Sequence, residues 1–219
     1  MHETTQISYG LGTVDIILNI ESPNSFYEPN FHFTDYEQVL YSCLTQKELE
    51  QISDGEHAEI TFNLNLTNIP DMDITSSLSR FIEISDRFYN DLENGIFLNL
   101  EAYKSLEGGE PIKIEKFSEK TAFQLEIPTD LVKDGREFFL YTDSLGGTEL
   151  YEDIDKELTT LSVNAGTIGN SVLLYREKSF ISASAPGRLP TPNPQYLCVV
   201  GIVLLLLLWK RIDFLHKKE

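Results

Sequence analysis

Glu59-Ile60-Thr61-Phe62-Asn63-Leu64-Asn65-Leu66-Thr67 is the stretch whose reading decides the fold class. Apolar and polar residues alternate through it without a break. Side chains of a strand point to opposite faces in turn, so Ile60, Phe62, Leu64 and Leu66 line one buried face while Thr61, Asn63 and Asn65 meet water. Wound as a helix, the same four apolar residues would scatter around the axis and leave no coherent face. On its N-terminal side, Thr45-Gln46-Lys47-Glu48 has the form of a capping box, Leu49 and Ile52 give an apolar stripe, and Gly55 supplies a stop. That predicts a short helix over residues 45–53. Further back, Pro23, Asn24, Pro29 and Asn30 mark a loop, and the β-branched run at 13–20 predicts a strand. On the C-terminal side the period changes: Leu78, Phe81, Ile82, Ser85 and Tyr89 fall at helical spacing, with Asp73 or Thr75 to cap a helix over about 75–90.

Beyond that helix the alternation resumes. Strands are predicted over 95–103, 111–117, 122–127, 136–141, 148–151, 158–163 and 171–175, with turns at Gly108-Gly109, Asp134-Gly135 and Gly146-Gly147. Short strands at this spacing, separated by glycine turns, predict a mainly β fold: an antiparallel β-sandwich with one or two short helices.

The chain has 219 residues, is 41% hydrophobic and carries 13 Phe and 10 Tyr, enough to build one substantial core or two small ones. Its charge is divided. Residues 196–219 hold four Lys/Arg against two Asp/Glu; the residues before them hold 13 against 33. A body with net charge −20 lacks the clustered Lys and Arg that phosphate binding needs, which argues against nucleic acid as a partner. From residue 179 to 195 Ser, Ala, Gly and Pro dominate, the composition of an extended spacer.

The spacer leads into Leu197-Cys198-Val199-Val200-Gly201-Ile202-Val203, then Leu204, Leu205, Leu206, Leu207, Leu208 and Trp209. Five consecutive leucines leave no polar face, so the reading is a transmembrane helix over 196–211 with the lipid bilayer as its partner. As a helix, residues 196–209 span roughly 21 Å against about 30 Å of hydrocarbon. Ile212, Phe214 and Leu215 extend the span if Lys210 and Arg211 snorkel. Lys210, Arg211, Lys217 and Lys218 all follow the apolar run. By the positive-inside rule this puts the tail, 212–219, in the cytoplasm and the body, 1–178, outside. The first residues have no basic region followed by an apolar stretch, so an exported body implies a leader upstream of this start. The alternative is a tail anchor whose body stays in the cytoplasm.

Signals for chemistry are sparse. His2, His32, His57 and His216 show no i, i+4 pair and none neighbours a cysteine, so no metal is expected. No phosphate-binding glycine loop, dinucleotide fingerprint or nucleophile elbow is present, and no cofactor or catalytic residue is expected. Cys43 with the distant His57 is the only nucleophile–base pairing to weigh, and Cys43 among apolar neighbours reads as core. Asp71 with Asp73, and Glu152-Asp153-Ile154-Asp155, offer oxygens for Ca²⁺ but read first as solvated loops. The sequon Asn65-Leu66-Thr67 lies inside the best strand. Phe26, Tyr27, Phe31, Phe33 and Tyr36 form the one loop-like aromatic cluster. Exposed, they would be a binding patch for a glycan or a host or matrix protein; buried, they are core.

The order of segments resembles the C-terminal β-rich modules of large Gram-positive surface proteins. The matching pieces are Val39-Leu40, Leu44-Thr45 with Glu48, Gly55, residues 60–69, residues 95–104 and Ile114-Glu115. They continue with residues 123–128, Leu131 and residues 135–140, so that the resemblance covers about 39–175. Two segments depart from that pattern: Thr142-Asp143-Ser144-Leu145-Gly146-Gly147 stands where a His-Asp-Gly turn is usual, and residues 168–175 replace the usual last strand. Such proteins often end in a sortase signal, an apolar span and a basic tail. Here Leu189-Pro190-Thr191-Pro192-Asn193 and Asn193-Pro194-Gln195-Tyr196 each lack the full pentapeptide, which favours membrane anchoring over wall attachment. The resemblance implies a non-enzymatic, single-pass cell-surface module serving as the stalk or juxtamembrane part of an adhesin-like protein. An extracellular carbohydrate- or protein-binding domain, or a cytoplasmic tail-anchored interaction protein, are the alternatives.

Overall fold

The computed structural model of the chain describes residues 1–22, 29–67, 69, 72–84, 91–145, 147–155 and 157–177. Among them the elements run β1 (His2–Tyr9), β2 (Gly12–Glu21), β3 (Phe31–Phe33), α1 (Tyr36–Cys43), α2 (Gln46–Ser53), β4 (His57–Thr67) and α3 (Met72–Ile84). They continue with β5 (Glu93–Leu106), β6 (Ile112–Ile114), β7 (Lys116–Glu126), β8 (Arg136–Ser144), β9 (Gly147–Glu152), β10 (Thr160–Thr167) and β11 (Asn170–Glu177). The mainly β reading holds. A large sheet has the order β1-β2-β4-β5-β11-β8-β9, with β6 beside β5, and a small sheet has the order β10-β7-β3.

The alternation that opened the sequence becomes β4, with Ala58, Ile60, Phe62, Leu64 and Leu66 buried and the residues between them half-buried. Its apolar face meets the small sheet: the Phe62 ring lies 4.5 Å from Phe33 of β3 and 6.4 Å from Phe117 of β7. One core cluster runs through both sheets and takes in Leu40, Leu49 and Ile52 from α1 and α2. At about 25 cal/mol per Å², each such fully buried side chain contributes roughly 1.5–3 kcal/mol.

The expectation of a wholly antiparallel sheet is corrected at one place. β2 and β4 run parallel, pairing Thr13 with His57 through Glu21 with Asn65. The connection between them holds β3, α1 and α2; parallel neighbours need a crossover of this kind, whereas a hairpin would have reversed the chain. The hairpin of β1 and β2 turns at Gly10, whose φ of +62° suits a glycine at the first central position of a two-residue turn. Gly12 lies so close to α2 that a Cβ there would stand 2.1 Å from the Glu56 carbonyl oxygen and 2.2 Å from that of Ile52.

α2 begins one residue after its predicted start. The Thr45 side chain accepts from the Glu48 N–H and the Glu48 carboxylate accepts from the Thr45 N–H, completing the capping box. The helix expected over 75–90 is α3, which starts earlier, at Met72, and is described to Ile84; residues 85–90 lie outside the described ones. Ile74 and Leu78 of α3 pack with Phe97, Phe139, Tyr141, Val172 and Leu174 on the face of the large sheet away from the small one. This explains Phe138-Phe139-Leu140-Tyr141 and Val172-Leu173-Leu174: covered on both faces, these strands are apolar at successive positions. The single strand expected over 111–117 is divided, since β6 ends at Ile114 in the large sheet and Lys116 opens β7 in the small one; β7 then absorbs most of the strand expected over 122–127.

Three elements went unpredicted. β1 is a polar edge strand, β3 has three residues, and α1 starts with Asp35, whose carboxylate accepts from the Gln38 N–H at 3.0 Å. Among the described residues no helix is long and apolar enough to cross a membrane. The spacer, the span expected over 196–211 and the tail lie outside them.

Candidate functional site

Alternation in β1, β2, β4 and β5 leaves a continuous polar face on the large sheet, the reverse of the core face. Register sets its rows. His2, Asn19, Asn63 and Glu101 lie side by side across four strands; Thr4, Ile17, Thr61 and Tyr103 form the next row, and the row beyond it carries Gln6, Asp15, Glu59 and Ser105. The first row is linked: His2 Nδ1 lies 2.6 Å from Asn19 Oδ1, and Asn19 Nδ2 donates to Asn63 Oδ1 at 2.8 Å. Glu101 accepts from Lys113 at 2.7 Å and from Tyr103 at 3.1 Å. The Lys113 hydrogen bond holds the Glu101 carboxyl below its ordinary value, against opposing desolvation.

Among the described residues, the row of Asp15 and Glu59 has no such Lys or Arg partner. Asp15 and Glu59 are direct partners in the parallel ladder, and His57 stands two residues before Glu59 on the same face. One donor atom from each of Asp15, His57 and Glu59 lies within 4.8 Å of the others, and all three residues are half-buried. His57 Nε2 is 3.7 Å from Asp15 Oδ2. Around them, Thr13 Oγ1 lies 3.0 Å from His57 Nδ1, Gln6 Nε2 donates to Asp15 Oδ1 at 2.8 Å, and Ser105 Oγ donates to Glu59 Oε2 at 3.4 Å. Sequence reasoning missed this trio because it sought the i, i+4 spacing of a helix. On a strand, two ligands on one face are i, i+2, as His57 and Glu59 are. Asp15 had no signal of its own, since only the β2–β4 pairing brings it there.

The aromatic cluster is not a surface patch where it is described. Phe31 and Phe33 are 1% and 2% exposed and stack on Phe123 and Phe62 in the core. Tyr36 is half-buried with its ring 6.3 Å from Phe33. β3 pairs with β7, which turns both phenylalanines between the sheets. Phe26 and Tyr27 lie outside the described residues. Cys43 is buried, and burial pushes its thiol up to about 12.

The acidic segment after β9 is engaged in holding its own loop. Asp153 accepts from the Ser162 N–H, and Asp155 accepts from Gln124, the Glu157 N–H and the Ser162 hydroxyl. Asp73 lies in the first turn of α3, and Asp71 is outside the described residues. Asn65 is a half-buried strand residue. A cleft of about 150 Å³ is lined by Arg136, Glu137, Phe139, Glu152, Asp153 and Arg176. Its two guanidinium groups serve the fold: Arg136 donates to Glu177 and the Leu131 carbonyl, and Arg176 donates to Glu137.

The membrane-anchor residues Leu197, Val199, Val200, Ile202, Val203, Leu204–Leu208 and Trp209, and the topology-setting Lys210, Arg211, Lys217 and Lys218, all lie outside the described residues. Compared with family models, curated proteins and solved structures, the chain matches none.

Proposed function

We propose that this chain is a non-enzymatic, membrane-tethered module whose acidic two-sheet body stands outside the cell and serves as a stalk or juxtamembrane domain. The observation that carries the reading is the uncharged run from Leu197 to Trp209, closed by Lys210 and Arg211 and preceded by a proline-rich spacer. A run of that composition is stable in hydrocarbon and its flanking charges orient it. The body complements the tether. A net charge of −20 over residues 1–195 disfavours contact with an anionic membrane surface and keeps the module extended from it. The burial of Phe31 and Phe33 removes the main support for an aromatic glycan-binding patch, which favours the structural role.

Protease shaving of intact cells, with a tag at each end of the chain, tests the topology. The N-terminal tag is lost and the C-terminal tag survives if the body is outside. Survival of both tags in intact cells, with loss after lysis, places the body in the cytoplasm and replaces this reading with a tail-anchored interaction protein.

A further inference from the structure

We propose that Asp15, His57 and Glu59 form a binding site for a first-row divalent transition-metal ion, with Zn²⁺ as the ion its donors suit best. The inference stands apart from topology, since the site is built wholly within β2 and β4 and is the same on either side of a membrane.

Three features carry it. The first is geometry. The three donor atoms lie within 4.8 Å of one another, and His57 Nε2 and Asp15 Oδ2 are 3.7 Å apart. Two ligands of a tetrahedral ion held at about 2.0–2.1 Å stand roughly 3.3–3.4 Å apart, so closing this pair on a metal takes movement of a few tenths of an ångström. Both strands are interior to the large sheet, β2 between β1 and β4, and β4 between β2 and β5. The ligand Cα positions are therefore fixed by ladders on both sides.

The second feature is electrostatic. Asp15 and Glu59 are like charges placed directly opposite in adjacent strands, an arrangement that opposes pairing unless a cation offsets it. Four other carboxylates of the described body have a basic partner: Glu48 has Lys104, Glu101 has Lys113, Glu137 has Arg176 and Glu177 has Arg136. Among the described residues no Lys or Arg pairs with Asp15 or Glu59, and the titratable nitrogen within reach is that of the His57 imidazole. A divalent ion between them neutralises both charges.

The third is the surrounding set of hydrogen bonds. Each ligand is oriented by a residue outside the trio: His57 by Thr13, Asp15 by Gln6 and Glu59 by Ser105. In the tautomer that donates Nδ1–H to the Thr13 hydroxyl, the lone pair of His57 Nε2 points toward the carboxylates, as a metal-ligating imidazole requires. An imidazole with two carboxylates suits zinc and its first-row neighbours; an all-oxygen set would have suited calcium or magnesium. Three protein ligands on a face open to water leave the remaining coordination positions to solvent or to an exogenous donor.

The test uses the full 219-residue chain in mild detergent, stripped with EDTA and titrated with zinc chloride by calorimetry and by thermal unfolding. The expected result is one saturable site per chain and a Tm that rises with zinc. Asp15→Asn, His57→Gln and Glu59→Gln each weaken that binding at least tenfold, while Glu101→Gln and His2→Gln, on the same face, leave it unchanged. Circular dichroism checks that the variants remain folded, and Thr13→Val, which keeps all three ligands, is expected to weaken binding about tenfold through loss of the oriented imidazole. The proposal is overturned if the intact chain shows no saturable zinc binding and no rise in Tm, if the three ligand variants keep the original affinity, or if calcium binds more tightly than zinc.

Discussion

Cys43 closes α1 with its side chain 5% exposed, and burial pushes its thiol up to about 12 although Lys104 pulls the other way. The thiolate is the reactive form, and at pH 7.5 the group is almost wholly protonated as well as shielded. In the folded chain, Cys43 is therefore expected to resist iodoacetamide at pH 7.5 for hours and to be alkylated within minutes in concentrated guanidinium chloride. Mass spectrometry of the peptide containing Cys43 reads the difference, and prompt labelling of the native chain would contradict its burial. The same physics separates the two readings of His57. A nucleophile partner needs contact with Cys43, whereas His57 lies at the start of β4 on the polar face of the sheet. What the residue does is set by the strand face on which it falls.

Among the elements, α2 ties local sequence to tertiary contact most directly. Desolvation works to raise the Glu48 carboxyl, but hydrogen bonds from Lys104 and from the Thr45 backbone and side chain outweigh it, so the group sits below its ordinary value. A carboxylate held low stabilises the fold above its unfolded value of about 4.3, and that contribution is lost as pH falls through the lower folded value. Glu48→Gln is thus expected to be less stable than the parent at pH 7, with the gap narrowing below about pH 4. Thr45→Ala, which removes the other half of the box, is expected to cost about 1 kcal/mol at pH 7. Urea unfolding of the parent and both variants across pH 3–7 checks both statements, and a gap independent of pH would contradict the first. α1 was legible in the same way. Asp35 followed three residues later by Gln38 is a helix-start pattern, but the aromatic residues Phe31, Phe33 and Tyr36 around it read as a loop cluster until the burial of Phe31 and Phe33 is seen.

At the scale of the molecule, the position of β11 has consequences for where the chain can be cut. β11 is the last described strand, yet it lies in the middle of the large sheet between β5 and β8 and carries the buried Val172, Leu173 and Leu174. A chain ending at Lys178 keeps all of β11 and is expected to unfold in one cooperative urea transition. A chain ending at Gly169 opens β5 and β8 to solvent, splits the sheet and exposes the apolar faces beneath; it is expected to be insoluble or to lack a cooperative transition. Circular dichroism against urea distinguishes the two, and a stable shorter chain would show that β11 adds little to the core.

The sequence by itself determined the period of each segment. The alternation of 59–67, the capping box at Thr45 and the glycine turns of the later hairpins are local signals, readable because each depends on a few adjacent residues. From them came the mainly β class, α2, the region of α3 and most of the later strands. Only the tertiary structure decided which strands are neighbours. The parallel pairing of β2 with β4 joins residues some 44 positions apart, and nothing in either strand announces its partner. That pairing breaks the expected antiparallel pattern, and it also brings Asp15 beside His57 and Glu59. The physical reason is the same in both cases: a strand's own residues fix its two faces, but its edges bond to whatever backbone the connections and the core deliver.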